Sequence, residues 1–113
     1  MKPFEIYISY VSWGSGGKHR PVLVFSLKDA TAFIYPIKSR YENKSEAIKT
    51  NYFEITNWQY AGLDRLSYID TGSYFTLPVS ALNNKIPIGE LSLEDRQRLL
   101  AFLVSKNSNK QNR

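Results

Sequence analysis

The 113-residue chain has no cysteine. That excludes a disulfide framework, a thiolate zinc site and a cysteine nucleophile. His19 is its only histidine, so a metal site built on a histidine pair is also excluded. Six glycines and five prolines are too few for a collagen-like or Gly/Pro-rich disordered chain. No run of 18 apolar residues occurs, and Glu5 and Ser9 break up the apolar residues near the start. Neither a membrane span nor a signal-peptide core is therefore read, and a soluble, cytoplasmic protein is expected. No hydrolase elbow, Walker loop, HExxH or dinucleotide fingerprint is present.

What is present suits one domain. Hydrophobic residues make up 42% and aromatics 14%, eight of them Tyr, which favours strands over a helical bundle. The net charge of +5 points to a polyanion partner, and its distribution is more telling than its sum. Residues 18–50 carry net +4, residues 51–95 net −4, and residues 96–113 net +5 with no acid.

Period-two alternation over residues 4–11 predicts a half-buried strand with Phe4, Ile6, Ile8 and Tyr10 on one side. Three glycines among residues 14–17 predict a mobile loop over 12–18. Pro21 opens a buried strand, Val22–Phe25, and Thr31–Ile37 pairs with it as a hairpin through a turn at Lys28-Asp29. Residues 41–49 read as a polar connection able to hold one helical turn. Short strands follow at 52–56, 66–70 and 74–77, the last two separated by the turn Asp70-Thr71-Gly72-Ser73. Trp58 is expected to plug the core, and Tyr68 and Tyr74 to pack on strands. Ser92-Leu93-Glu94-Asp95 is a capping box opening an amphipathic helix over 93–105. Residues 106–113 hold no apolar side chain and are expected to form a disordered basic tail, for solubility or for phosphate affinity. The fold class is mainly β: a small, strongly bent barrel (residues 1–105) closed by a C-terminal helix.

The chemistry concentrates in Lys18-His19-Arg20, delivered after the glycines at a strand edge, and in Lys38-Ser39-Arg40 at the end of the partner strand. A guanidinium can hold two non-bridging phosphate oxygens and stabilise charge that develops in a transition state. Imidazole can serve as acid or base near neutrality. Both clusters could equally be solvated rims. Trp13 could stack on a base or anchor its loop.

These residues carry a resemblance. The strand, Gly-rich loop and Arg20-Pro21-Val22-Leu23-Val24, then a strand ending Ile37-Lys38-Ser39, resemble the MazF/PemK family of toxin endoribonucleases. Further along, Tyr52–Trp58, Ala61-Gly62-Leu63, Ser67–Asp70 and Ile88–Ser92 with Arg98-Leu99-Leu100 resemble one of its branches. The resemblance covers roughly residues 5–104. It implies an SH3-like barrel of the CcdB/MazF/PemK type, usually a homodimer. It implies cleavage of single-stranded RNA without metal or cofactor, leaving a cyclic phosphate and a 5′-hydroxyl, and an antitoxin with an acidic tail. Arg20 falls on the family's catalytic arginine, and Trp13, Lys18 and His19 on the loop bordering the groove. Lys38 stands where the family often has a threonine whose hydroxyl is part of the active site. Lys38 could hold phosphate, Ser39 could substitute, or the protein could bind RNA or a protein target and cut little. Arg40, and Arg65 or Ser67 on a later strand, are the remaining RNA-binding candidates.

Overall fold

The computed structural model describes residues 1–111. Seven strands curl into one antiparallel half-barrel, and a C-terminal helix packs against it. The elements are β1 (Glu5–Trp13), β2 (Gly16–Lys28), β3 (Thr31–Lys38), α1 (Glu46–Lys49), β4 (Tyr52–Glu54), β5 (Tyr68–Asp70), β6 (Phe75–Pro78), β7 (Gly89–Glu90) and α2 (Leu93–Gln111). Strand order is β4-β5-β3-β2-β1-β7, and β6 adds to the first half of β3.

The predicted loop over 12–18 is instead the tip of a long hairpin. β1 and β2 pair without interruption from Ile6↔Leu23 out to Trp13↔Gly16. Only Gly14 and Ser15 turn the chain, and Gly14 has φ +44°. Glycine at the first central position of a two-residue hairpin turn supplies that conformation without strain. The other glycines sit in β2; Gly17 leaves room for the Tyr10 ring, which a Cβ there would strike. Asp29 and Ala30 form an equally tight turn between β2 and β3, both at positive φ. A bulge between Val24 and Ser26 bends β2 and sharpens the curl.

The sheet buries apolar side chains on both faces, so simple alternation misjudges β1. Ile6, Leu23, Tyr35 and Ile37 join Phe53, Ile55, Ile69 and, from α2, Leu99 in the main core. Tyr7, Val22, Val24, Ala32 and Ile34 face the other way onto Leu82, Phe75 and Leu77. Ile8 and Tyr10, predicted to share a buried face with Ile6, are exposed because they lie on the projecting arm. Trp58 packs against the main core as expected. Gly62, at φ +87°, and Gly89 bring two backbones so close that a Cβ on either would strike the other segment's carbonyl.

The capping box forms by half. The Ser92 hydroxyl accepts the Asp95 amide at 3.1 Å. The Asp95 carboxylate turns away to accept the amides of Thr56 (3.3 Å) and Asn57 (2.8 Å), tying the helix start to the connector after β4. α2 runs six residues past its predicted end at 105. Residues 106–111 contain no Gly or Pro to stop it, and the Lys106 ammonium is held by Asn51 and Thr71. The tail prediction for residues 112–113 lies outside the described residues. Among the described residues no helix is long and apolar enough to cross a membrane.

Candidate nucleic-acid interface

Strand alternation decides which basic residues meet. Register pairs Ser9 with Arg20 and Val11 with Lys18, and pairs Tyr10 with His19 on the opposite face. Val22 pairs with Pro36 across β2 and β3. Extending that register by two residues sets Arg20 opposite Lys38. Lys18, Arg20, Pro36 and Lys38 therefore share one face of the curl, and they line an open cleft of about 860 Å³.

β3 ends at Lys38, so the chain turns there and Ser39, Arg40 and Lys44 also line the cleft. An ideal strand would have sent Ser39 to the other face. The lining thus carries five cations, from Lys18, Arg20, Lys38, Arg40 and Lys44, and among the described residues no Asp or Glu. Val11, Pro36, Phe75 and Leu77 contribute apolar surface. All five of these cations come from residues 18–50, the segment whose net charge is +4. Such a surface suits a polyanion with apolar faces, and single-stranded nucleic acid fits that description.

Lys38 is not a loose surface lysine. Its ammonium lies 2.7 Å from Asp70 Oδ2, and the Asp70 side chain is 7% exposed. Asp70 Oδ2 also accepts from the Ser73 hydroxyl (2.6 Å), while Oδ1 accepts the Gly72 amide (3.0 Å). Burial alone pushes the Asp70 carboxyl up, but the Lys38 and Ser73 bonds, the Lys38 charge and the Gly72 amide together outweigh it and hold it below the usual carboxylate range. The buried Tyr52 ring lies 6.0 Å from the ammonium. Burial raises the Tyr52 hydroxyl pKa, the charges of Lys38 and Arg20 oppose that rise, and so does a hydrogen bond from Lys38. Arg20, Lys38, Tyr52 and Asp70 therefore form one electrostatic unit, of which Arg20 and Lys38 line the cleft. Arg20 itself is half-buried, just before Pro21 in mid-strand, where backbone direction is well fixed.

Three residues singled out in the sequence lie elsewhere. His19 points to the opposite face of β2, where it meets Tyr10 edge-on at 5.3 Å. A single-residue offset along a strand reverses the side chain, which is why Lys18-His19-Arg20 cannot act together. Arg65 is exposed beside Asp64, with Nε 3.3 Å from Oδ1. Ser67 is buried, and its hydroxyl donates to the Arg65 carbonyl at 2.9 Å. Both precede β5, which begins only at Tyr68, so neither sits on the strand that was expected to carry them. The Trp13 side chain lies outside the described residues. Sequence reasoning missed Asp70, Ser73, Tyr52 and Lys44. The turn Asp70-Thr71-Gly72-Ser73 was the available signal, since an aspartate that accepts an amide two residues on is a recurrent turn device.

No protein-family model matches the chain, and no curated protein matches it either.

Proposed function

We propose that this chain is a toxin endoribonuclease of the MazF/PemK type, an SH3-like barrel that acts in the cytoplasm on single-stranded RNA as a homodimer. In this reading an antitoxin covers the cleft with an acidic tail. The observation that carries the proposal is the gathering of Lys18, Arg20, Lys38, Arg40 and Lys44 on one cleft whose lining, among the described residues, holds no acid.

The chemistry asked of the site is modest in kind. The ribose 2′-oxygen bonds to the adjacent phosphorus and loses its proton. The bond from phosphorus to the 5′-oxygen breaks, and that oxygen gains a proton. A 2′,3′-cyclic phosphate and a 5′-hydroxyl result, with no net change in protons or electrons. The charge on the five-coordinate phosphorus is the species to stabilise. The Arg20 guanidinium offers parallel donors to two non-bridging oxygens, and the Lys38 ammonium adds a second, fixed cation. The Ser39 hydroxyl supplies a neutral donor beside them. Lys18, Arg40 and Lys44 hold flanking phosphates. His19, turned to the other face, takes no part.

Incubating the purified protein with mixed-sequence RNA in EDTA, and mapping the new ends by sequencing, tests the reading. Clustered 5′-hydroxyl ends at a short motif are expected. Arg20→Ala is expected to cut about 10²–10³-fold more slowly per folded molecule, the loss typical of removing one transition-state donor. RNA bound but left intact by the wild type would leave a binding module in place of an enzyme. RNA neither bound nor cut would overturn the nucleic-acid reading altogether.

A further inference from the structure

The structure assigns Asp70 as a positioning residue: with Ser73 and Gly72 it fixes the Lys38 ammonium on the lining of the cleft, where that charge meets a phosphate of the bound RNA. This inference rests on the RNA-cleaving reading above and adds to it the device that makes a lysine usable at that position.

A lysine side chain has four rotatable bonds and carries about 2 kcal/mol of rotamer entropy. At the end of a strand beside an open cleft it would sample many positions. A mobile cation contributes to binding phosphate anywhere nearby, but contributes little to one transition state, because it must be ordered as the reaction proceeds. Here the ammonium is tied at 2.7 Å to a carboxylate that is itself immobile. That carboxylate is buried, sits at the last residue of β5, and has both oxygens engaged by the turn that follows. Lys38 ends β3 opposite Tyr68, and Asp70 lies two residues further along the neighbouring β5, on the same face as Tyr68. Two sheet strands, not loops, therefore set the distance between the two residues, which are 32 apart in sequence.

Two features separate this pair from an ordinary buried ion pair. Lys38 is 27% exposed against 7% for Asp70, so the pair is sealed on the carboxylate side and open on the ammonium side. The open side is the cationic cleft. Asp70, for its part, already accepts from three donors, which suits an orienter and not a base.

The test has one readout that needs no RNA and one that does. In the wild type, the Lys38 ammonium is expected to give a sharp ¹H–¹⁵N signal with slowed proton exchange, identified by its loss in Lys38→Ala. Asp70→Asn is expected to abolish it, and Ser73→Ala, the milder variant in case Asp70→Asn folds poorly, to broaden it. In cleavage, Asp70→Asn is expected to lower kcat about tenfold or more with KM within twofold. The same substitution in a Lys38→Ala background is expected to lower it no further. A Lys38 signal that persists unchanged in Asp70→Asn, or an Asp70→Asn loss of equal size with and without Lys38, would overturn the assignment. If the wild type cuts no RNA, the RNA-cleaving reading fails on its own, and the ammonium signal still decides whether Asp70 fixes Lys38.

Discussion

Two aspartates of this chain are almost wholly enclosed and each holds a cation, yet they do different work. Asp95, at 0% exposure, accepts the Thr56 and Asn57 amides and lies 2.7 Å from an Arg98 guanidinium nitrogen. That same nitrogen donates to the Thr56 hydroxyl at 2.7 Å. Every partner belongs to α2 or to the segment it packs on, so the charge closes a joint. Asp70 is bound as fully, but its cation looks onto a cleft with four more. A buried carboxylate with a cation is thus not by itself a sign of function; what the cation faces decides.

The comparison breaks most visibly at Asp95. Asp95→Ala leaves two amides without an acceptor and Arg98 without its charge partner. Removing the buried acceptor of two amides is expected to cost about 3 kcal/mol, a fall of roughly 10 °C or more in Tm for a chain of this size. Thermal unfolding followed by circular dichroism measures it. Cleavage per folded molecule should stay at the wild-type level. If Asp95→Ala instead abolished activity without loss of stability, the division between joint and cleft would be wrong.

The second test concerns the surroundings of each pair. If the cleft binds RNA phosphates, each cation contributes to the salt dependence of affinity. Lys44→Ala should reduce the slope of log K against log salt by about 0.7, the value for one phosphate on a single strand. Arg98→Ala, which removes the same charge from outside the cleft lining, should leave the slope unchanged. Titration of a fluorescent 2′-O-methyl oligonucleotide, which cannot be cleaved, measures both. Equal slopes for the two variants would mean that net charge, not the cleft, attracts RNA.

The two aspartates were unequally legible in the sequence. Ser92 and Asp95 are three residues apart, so their capping relation is local and periodicity exposes it. What the carboxylate then did with Thr56 and Asn57 depends on α2 folding back over the connector, which no local pattern encodes. Lys38 and Asp70 were both visible, one as a charged strand end and the other as a turn residue. Their union depends on β3 and β5 being sheet neighbours with Lys38 opposite Tyr68. Arg20 and Lys38 were read correctly as neighbours, because a hairpin is itself local. The error at His19 came from reading glycines as a loop. Gly16 and Gly17 prolong a strand here, and a strand sorts adjacent residues onto opposite faces.

The smallest expected effect is in pH. The Asp70 carboxyl is held below its ordinary value, so it binds its proton less readily in the folded chain than in the unfolded one. Its contribution to stability is therefore complete above the usual carboxylate range, near pH 4, and is lost as pH falls through the lowered folded value. Asp70→Asn removes that dependence, so the gap in urea midpoint between wild type and variant should narrow as the solution is acidified. The narrowing is expected to be slight, because burial pushes Asp70 up while Lys38, Ser73 and Gly72 pull it down, and only the difference between these opposing effects appears in stability. A gap that instead widened on acidification would mean that burial wins and that Asp70 is held as a neutral acid. Lys38 would then have no anion to fix it, and the contrast between a charge that closes a joint and one that presents a cation to the cleft would collapse.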